Sequence, residues 1–241
     1  MIKFFSHVLW LLWLFPAVVS AAPAVPSPVI RIDFSHAKKE GKTVTGWTYK
    51  GKLGTGDASF DVRELDGMKV LYMESRNSTG SLLFDISSID LKKYPYMSWK
   101  WRVDVLPEGA DGEIPAKDDQ AIGIYVGSGS SFSQESIALR WETKTGKGKS
   151  GFVKYGMGAV KVHWVCIRNE KDGLKRWQVD EYNVYEALNK IFKGNVPRKN
   201  IAITLSANSQ YTGSSSAAYL EYIQFSAKPP VRKGKGKKGN Q

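Results

Sequence analysis

Polar and apolar residues alternate most regularly between Ser98 and Val105, where Trp99, Trp101, Val103 and Val105 interleave with Ser98, Lys100, Arg102 and Asp104. A period of two puts successive side chains on opposite faces of a strand, so this segment predicts a β-strand with one apolar and one charged face. Shorter runs bounded by turn residues predict further strands over 29–34, 60–65, 68–75, 81–86, 120–126, 136–142, 161–168, 175–179, 201–207 and 218–225. Asp66-Gly67 predicts a hairpin turn between two of them. Helical spacing is convincing once, over Asn183 to Phe192, where Val184, Leu188, Ile191 and Phe192 fall on one stripe. Asp180 or Asn183 is placed to cap that helix and Gly194 to end it. The expected class is mainly β: a two-sheet antiparallel sandwich of jelly-roll type with one short helix, since no helices alternate with the strands as a parallel sheet demands.

The chain's two ends follow other rules. Lys3, the apolar run Val8 to Phe15 and the small residues Val19-Ser20-Ala21 read as a cleavable signal peptide over 1–21. Eight apolar residues interrupted by Pro16 are too few to cross a hydrocarbon layer that takes about 20. Pro23, Pro26 and Pro28 make a stiff connector over 22–28, and a single domain is expected over 29–227. The remaining 228–241, rich in Gly and Lys, has too little apolar surface to order itself and is expected to be a disordered basic tail. The destination is therefore the periplasm or the cell exterior.

Charge divides unevenly along this plan. Setting aside the one charge of Lys3 and the six of the tail, the formal net charge of +12 falls to +5 for the folded part. The tail suits a screened, salt-sensitive attraction to acidic polysaccharide or to anionic lipid headgroups, which makes peripheral membrane contact one of its uses. The bland alternative is a solvated tail that aids solubility. Nucleic acid is not an expected partner.

Cys166 is the only cysteine and alternates with Trp164 and Val162, which points to a buried thiol and leaves stability to the core. CxxC pairs, HExxH and spaced Cys/His clusters do not occur, so zinc is not expected and no cofactor is implied. The loop GADGEIPAKDDQ does gather oxygen ligands, with Asp111, Glu113 and Asp118 as candidate ligands for calcium. Its spacing is not that of an EF-hand, and turn-making or capping accounts for the same residues. Asp118 and Asp119 precede an apolar strand, where one of them must turn inward or towards a neighbour; Arg102 or Arg140 would serve as a buried partner.

Lys100, Arg102, Arg140, Glu142, Lys161, His163, Arg176 and Gln178 all fall opposite the apolar members of their strands. If those strands share a sheet they make a polar, basic face suited to sugars, with Lys100, Arg102, Asp119, Arg140, Glu142, His163 and Gln178 as the ligand-binding set. An ordinary wet sheet face shows the same alternation. Three readings stay open: a non-catalytic binding protein for a glycan or another anionic envelope component, a polysaccharide lyase or glycosidase, and an envelope structural or adaptor protein. The enzyme would use His163 or Tyr155 as base, Arg140 or Lys100 against a substrate carboxylate, and Glu142 or Asp119 as acid.

Trp99-Lys100-Trp101-Arg102-Val103, followed by Asp118-Asp119-Gln120-Ala121, resembles the exported bacterial family catalogued as domain of unknown function 3047. The likeness continues through Trp177, Asp180 and the closing strand AAYLEYIQF, and covers most of 32–227. Where an acidic stretch is expected after the penultimate strand, this chain reads Ala207-Asn208-Ser209-Gln210. The resemblance implies a jelly-roll-like sandwich similar to carbohydrate-binding modules and brings no established activity.

Overall fold

In the computed structural model, which describes residues 29–130 and 133–229, the double-tryptophan segment lies at the centre of a strand running from Tyr96 to Val105. In chain order the strands are β1 (Val29–Asp33), β2 (Lys39–Glu40), β3 (Thr43–Val44), β4 (Thr48–Lys50), β5 (Gly56–Asp57), β6 (Ser59–Leu65), β7 (Met68–Arg76), β8 (Ser78–Asp85), β9 (Tyr96–Val105), β10 (Gln120–Ser130), β11 (Ser133–Trp141), β12 (Ser150–Tyr155), β13 (Val160–Arg168), β14 (Gln178–Asn183), β15 (Ile201–Asn208) and β16 (Ser215–Ser226). The helix α1 (Val184–Ile191) follows β14. The expected signal peptide, the connector and the tail beyond Pro229 lie outside the described residues.

One sheet runs β14-β9-β16-β7-β6, with β1 added to β16; the other runs β12-β13-β11-β10-β15-β8-β4, with β5 added to β8. Their facing sides supply one core, so the sandwich and the single helix stand as expected. Trp99 and Trp101 of β9 meet Trp141 of β11 across the layers, with successive ring centroids 5.3 and 5.4 Å apart and all three rings fully buried. Such tilted aromatic pairs add about 0.5–1.5 kcal/mol each beyond the area they bury. At the sheet edge Arg168 of β13 grips Asp180 of β14 through Nε (2.5 Å) and Nη2 (2.9 Å), and Asp180 also accepts from Trp101 Nε1 at 2.8 Å. This two-pronged pair ties the rim of one sheet to the rim of the other.

The short strands β2, β3, β4 and β5 are additions to the sequence expectation, and three further details differ from it. β11 and β13 pair in parallel, because the chain crosses between them through the edge strand β12 instead of a helix. β12 itself escaped notice: SGFVKY sits among glycines and lysines and shows no long apolar alternation, as befits an edge strand. The strand expected over 175–179 begins only at Gln178 and continues to Asn183, because Lys175 takes a left-handed conformation (φ 59°) that breaks extension. Asn183 then caps α1, its side chain accepting from Glu186 N at 3.0 Å. The Asp66-Gly67 turn forms as expected, with φ of 52° and 72° joining Leu65 to Met68.

Candidate functional site

The outward side of the second sheet is not an ordinary wet face. Its side chains border an open cleft of about 660 Å³ that extends from Tyr155 on the β12 side to Lys50 and Lys52 on the β4 side. Across the seven-strand order that is six inter-strand steps, roughly 29 Å at about 4.8 Å per step. Small and hydroxylated residues together with Leu83 make the floor: Ser81 and Leu83 on β8, Ala202, Thr204 and Ser206 on β15, and Ser136 on β11. Tyr125, Tyr155 and Tyr211 supply ring surfaces, and Gln120, Gln134, Asn208 and Gln210 supply amides. Gln120 Nε2 donates to Tyr125 Oη at 3.0 Å, which fixes the phenol's tilt.

Beneath the floor lies a buried charge cluster. Arg140 on β11 is fully buried between the rings of Tyr125 and Trp164, with its Cζ 5.9 and 5.6 Å from their centroids. Its Nη1 donates to Asp118 Oδ1 at 2.6 Å and to Glu142 Oε1 at 3.4 Å, and its Nη2 to Tyr155 Oη at 3.4 Å. Tyr155 in turn donates its hydroxyl to Asp118. One guanidinium thus serves two buried carboxylates, and the second is the less well compensated: burial pushes the Glu142 carboxyl above its ordinary range. Glu142 is relieved by the Thr145 hydroxyl and by Gly112 N at 3.2 Å. A Cβ at Gly112 would stand 2.6 Å from Glu142 Oε2, so any larger residue there would displace the carboxylate. Burial also raises the Tyr125 and Tyr155 phenols, so both rings stay protonated donors.

Asp119 works on the opposite flank. Fully buried, it accepts from Tyr211 N (3.2 Å), Thr212 N (2.7 Å) and Thr212 Oγ1 (2.8 Å), and so holds the loop between β15 and β16 that presents Tyr211. Asn208 Nδ2 donates to Asp118 O at 3.3 Å, stitching β15 to the same segment.

The expected single polar face is not assembled, and the reason is which sheet and which side each strand presents. Lys100 and Arg102 lie outside the first sheet, where Lys100 pairs with Glu221 (2.5 Å) and Arg102 with Asp104 (2.7 Å). Gln178 faces the opposite way, in register with Trp101, and donates to Asp172 O at 3.2 Å. His163, in register with Ile137 on the inner side of β13, pairs with Glu135 at 3.0 Å beside α1. Arg140, Glu142 and Asp119 do gather at the cleft, but under it, as supports. Of the two partners expected for the acidic pair, Arg140 is the one used.

The calcium expectation for Asp111, Glu113 and Asp118 also meets a different arrangement. Asp118 is engaged by Arg140 and Tyr155, whereas Asp111 turns back to accept from Glu113 N at 3.0 Å and Thr145 Oγ1 at 3.2 Å. Among the described residues no group of three or more His, Cys, Asp or Glu side chains is placed to hold a metal ion. Apart from Tyr155, the side chains that border the cleft are not among the candidates that the sequence offers. The signal for Tyr125 was the strand GIYVG, in which Gly123, Tyr125 and Gly127 alternate with Ile122, Ile124 and Val126; Lys50, Lys52 and Tyr211 come from short or irregular segments with no periodic signal.

A cleft over one side of a two-sheet sandwich, supported by a buried arginine and two aspartates, is the setting in which the comparisons fall. Residues 45–224 match the family described as protein of unknown function (DUF3047), and the chain belongs to it. No curated protein matches. Solved structures similar to the chain include the family 11 carbohydrate-binding module of a cellulosomal cellulase from Clostridium thermocellum, at 9% identity and a TM-score of 0.43, covering 83% of this chain and 95% of that one. The CBM22-1 xylan-binding domain from Paenibacillus barcinonensis aligns at 10% identity and a TM-score of 0.39, over 86% of this chain and 99% of the other. A derivative of the Cel12A cellulase of Rhodothermus marinus aligns at 6% identity and 0.43, over 81% and 99%. All three TM-scores lie below 0.5, so function has to be read from the cleft's own residues.

Proposed function

We propose that this protein is an exported, non-catalytic glycan-binding protein and that the cleft over the second sheet is its binding site. The observation that carries the reading is the lining itself: three tyrosine rings, two on sheet strands and Tyr211 on the loop held by Asp119, set among amides and hydroxyls. Rings stack on the apolar faces of pyranoses, while amides and hydroxyls exchange hydrogen bonds with sugar hydroxyls, and a supported sheet keeps both pre-organised. The length of the cleft suits several linked sugar rings better than one small molecule. Among the described residues no helix is long and apolar enough to cross a membrane. Export rests on the signal-like residues 1–21, and the basic tail would add a weak, salt-sensitive hold on anionic envelope polymers.

The enzymatic alternative is less well served by the same residues. Glycoside hydrolysis uses two carboxyl groups about 5–5.5 or 6.5–9.5 Å apart across the scissile bond. Among the described residues bordering the cleft the one acidic side chain is Glu135, which is paired with His163. Asp118 and Glu142 are buried and engaged, and Tyr155, the base a lyase would need, gives its proton to Asp118 and has a raised pKa. A glycan array followed by affinity electrophoresis in soluble polysaccharides tests the reading. Retardation that is lost on Tyr125→Ala or Tyr155→Ala, without product formation, is the expected result; absence of binding to every polymer at low salt overturns it, and released oligosaccharide would make the protein an enzyme.

A further inference from the structure

The cleft is chemically unequal along its length. At the β12 side the ring of Tyr155 stands over the buried Arg140–Asp118–Glu142 cluster, its hydroxyl committed to Asp118. Towards β4 the lining carries two ammonium groups, Lys50 at the end of β4 and Lys52 in the turn beyond it, both exposed and neither within ion-pair distance of an acid among the described residues. The nearby acid Asp57 is already taken, accepting from Tyr49 Oη at 2.7 Å and pairing with Lys42 at 2.5 Å. Lys52 Nζ lies 5.2 Å from the centroid of the Tyr211 ring, which is itself 37% exposed. At this end, therefore, an aromatic platform fixed from below by Asp119 stands beside two cations without carboxylate partners.

Resting on the glycan-binding reading, we infer that the β4 end of the cleft is a subsite for a carboxylated sugar, with Tyr211 stacking the uronic acid ring while Lys50 and Lys52 bind its carboxylate. A bound uronate completes what the fold leaves open. Charge-assisted N–H···O bonds to a carboxylate are shorter and roughly twice as strong as neutral ones, and two ammonium groups on one side of a ring distinguish an acid from the corresponding primary alcohol. Among the described lining residues the other end of the cleft offers no such pair, so one uronic acid ring seated at the β4 end meets both cations whatever the charge of the rings beyond it.

A matched pair of polymers tests this on the full chain: polygalacturonate and the same polymer with its carboxylates reduced to alcohols, compared by calorimetry in low salt, with dextran sulfate against dextran as a measure of plain ion exchange. The basic tail is present throughout, so the decisive comparison is wild type against Lys50→Gln/Lys52→Gln and against Tyr211→Ala. The expected result is roughly tenfold tighter binding of the acidic polymer by wild type, a preference abolished in the lysine variant, whose affinity for the reduced polymer is unchanged. Tyr211→Ala should weaken both polymers. Equal binding of the two polymers by wild type, or a preference that survives in the lysine variant, overturns the subsite while leaving a glycan site intact. A gain for dextran sulfate as large as that for polygalacturonate, lost in the same variant, makes the lysines a general anion surface and also overturns it. Binding to neither polymer of any pair, nor to any glycan on the array, refutes the glycan reading itself.

Discussion

Asp118 and Asp119 are neighbours in the chain, yet their carboxylates hold opposite flanks of one cleft. Asp118 takes the Tyr155 hydroxyl and Arg140 Nη1, and Asp119 takes the two backbone amides and the hydroxyl that fix the Tyr211 loop. A single turn of extended chain ahead of β10 therefore sets the distance between two ring surfaces. Neither carboxylate is available to a ligand, since both are buried; their effect on binding passes through the tyrosines.

Asp119→Ala separates support from contact. It leaves two amides and a hydroxyl without their acceptor, a loss of about 2–3 kcal/mol for hydrogen bonds to a charged group. The loop at Tyr211 should become susceptible to limited proteolysis while the sandwich core keeps its near-ultraviolet circular dichroism, and glycan affinity should fall as far as it does in Tyr211→Ala. Full affinity in a variant with a cleavable loop would show that Tyr211 does not contact the ligand.

Arg140→Met removes the one cation from a site with two carboxylates. Breaking a buried pair from one side costs about 3–5 kcal/mol, because the remaining charge is left uncompensated. Chemical denaturation should show that loss. Tyr155→Phe, which deletes only the hydroxyl that donates to Asp118 and accepts from Arg140, should cost about 1.5–3 kcal/mol and keep the ring for stacking, so its glycan affinity should stay near wild type while Tyr155→Ala loses it.

Glu142 gives the cluster a pH signature. Burial raises its carboxyl above the ordinary value of 4.5, so the folded state binds this proton more tightly than the unfolded chain does. For a raised acid the stabilising contribution is present at low pH and is lost as pH climbs from the unfolded pKa to the higher folded one. Glu142→Gln lacks this titration. The difference in unfolding free energy, variant minus wild type, should therefore rise as pH climbs above the ordinary carboxylate range and level off once pH passes the raised folded value. A difference independent of pH, measured by urea unfolding across that range, would show that Arg140 fully compensates Glu142.

How much of this was legible in the chain depends on the signal each residue leaves. Trp99, Trp101 and Val103 announce the core of β9 because a strand buried on one side repeats every two residues, and Asn183 and Gly194 bracket α1 by capping chemistry. Alternation says that Lys100, Arg140 and His163 oppose apolar neighbours; it does not say which sheet a strand joins or which side of that sheet faces the core. Arg140 shows the cost of that gap. It stands opposite Leu139 and Trp141 on β11, yet it is as buried as they are, because Tyr125, Val162, Trp164 and Tyr155 form a second, smaller apolar layer over it. The cleft's β4 end was illegible for another reason: Lys50 and Lys52 lie 148 to 161 residues from Asn200 and Tyr211, and only the pairing of β4 with β8 and of β8 with β15 brings them together.

The displaced cations make the sharpest contrast between sequence and structure. Lys100 and Arg102 were natural ligand candidates by alternation, but they project from the far side of the first sheet, where Glu221, Asp104 and Asp66 accompany them and Tyr219 and Trp177 cover them. Partly exposed pairs of this kind contribute about 0.2–1 kcal/mol each, so Lys100→Ala and Arg102→Ala should lower stability by no more than about 2 kcal/mol apiece. Neither should change affinity for any glycan that Tyr125→Ala or Tyr155→Ala releases. If instead Lys100→Ala or Arg102→Ala weakens binding by roughly tenfold, about 1.4 kcal/mol, the ligand meets the outer face of the first sheet and the cleft loses its assignment.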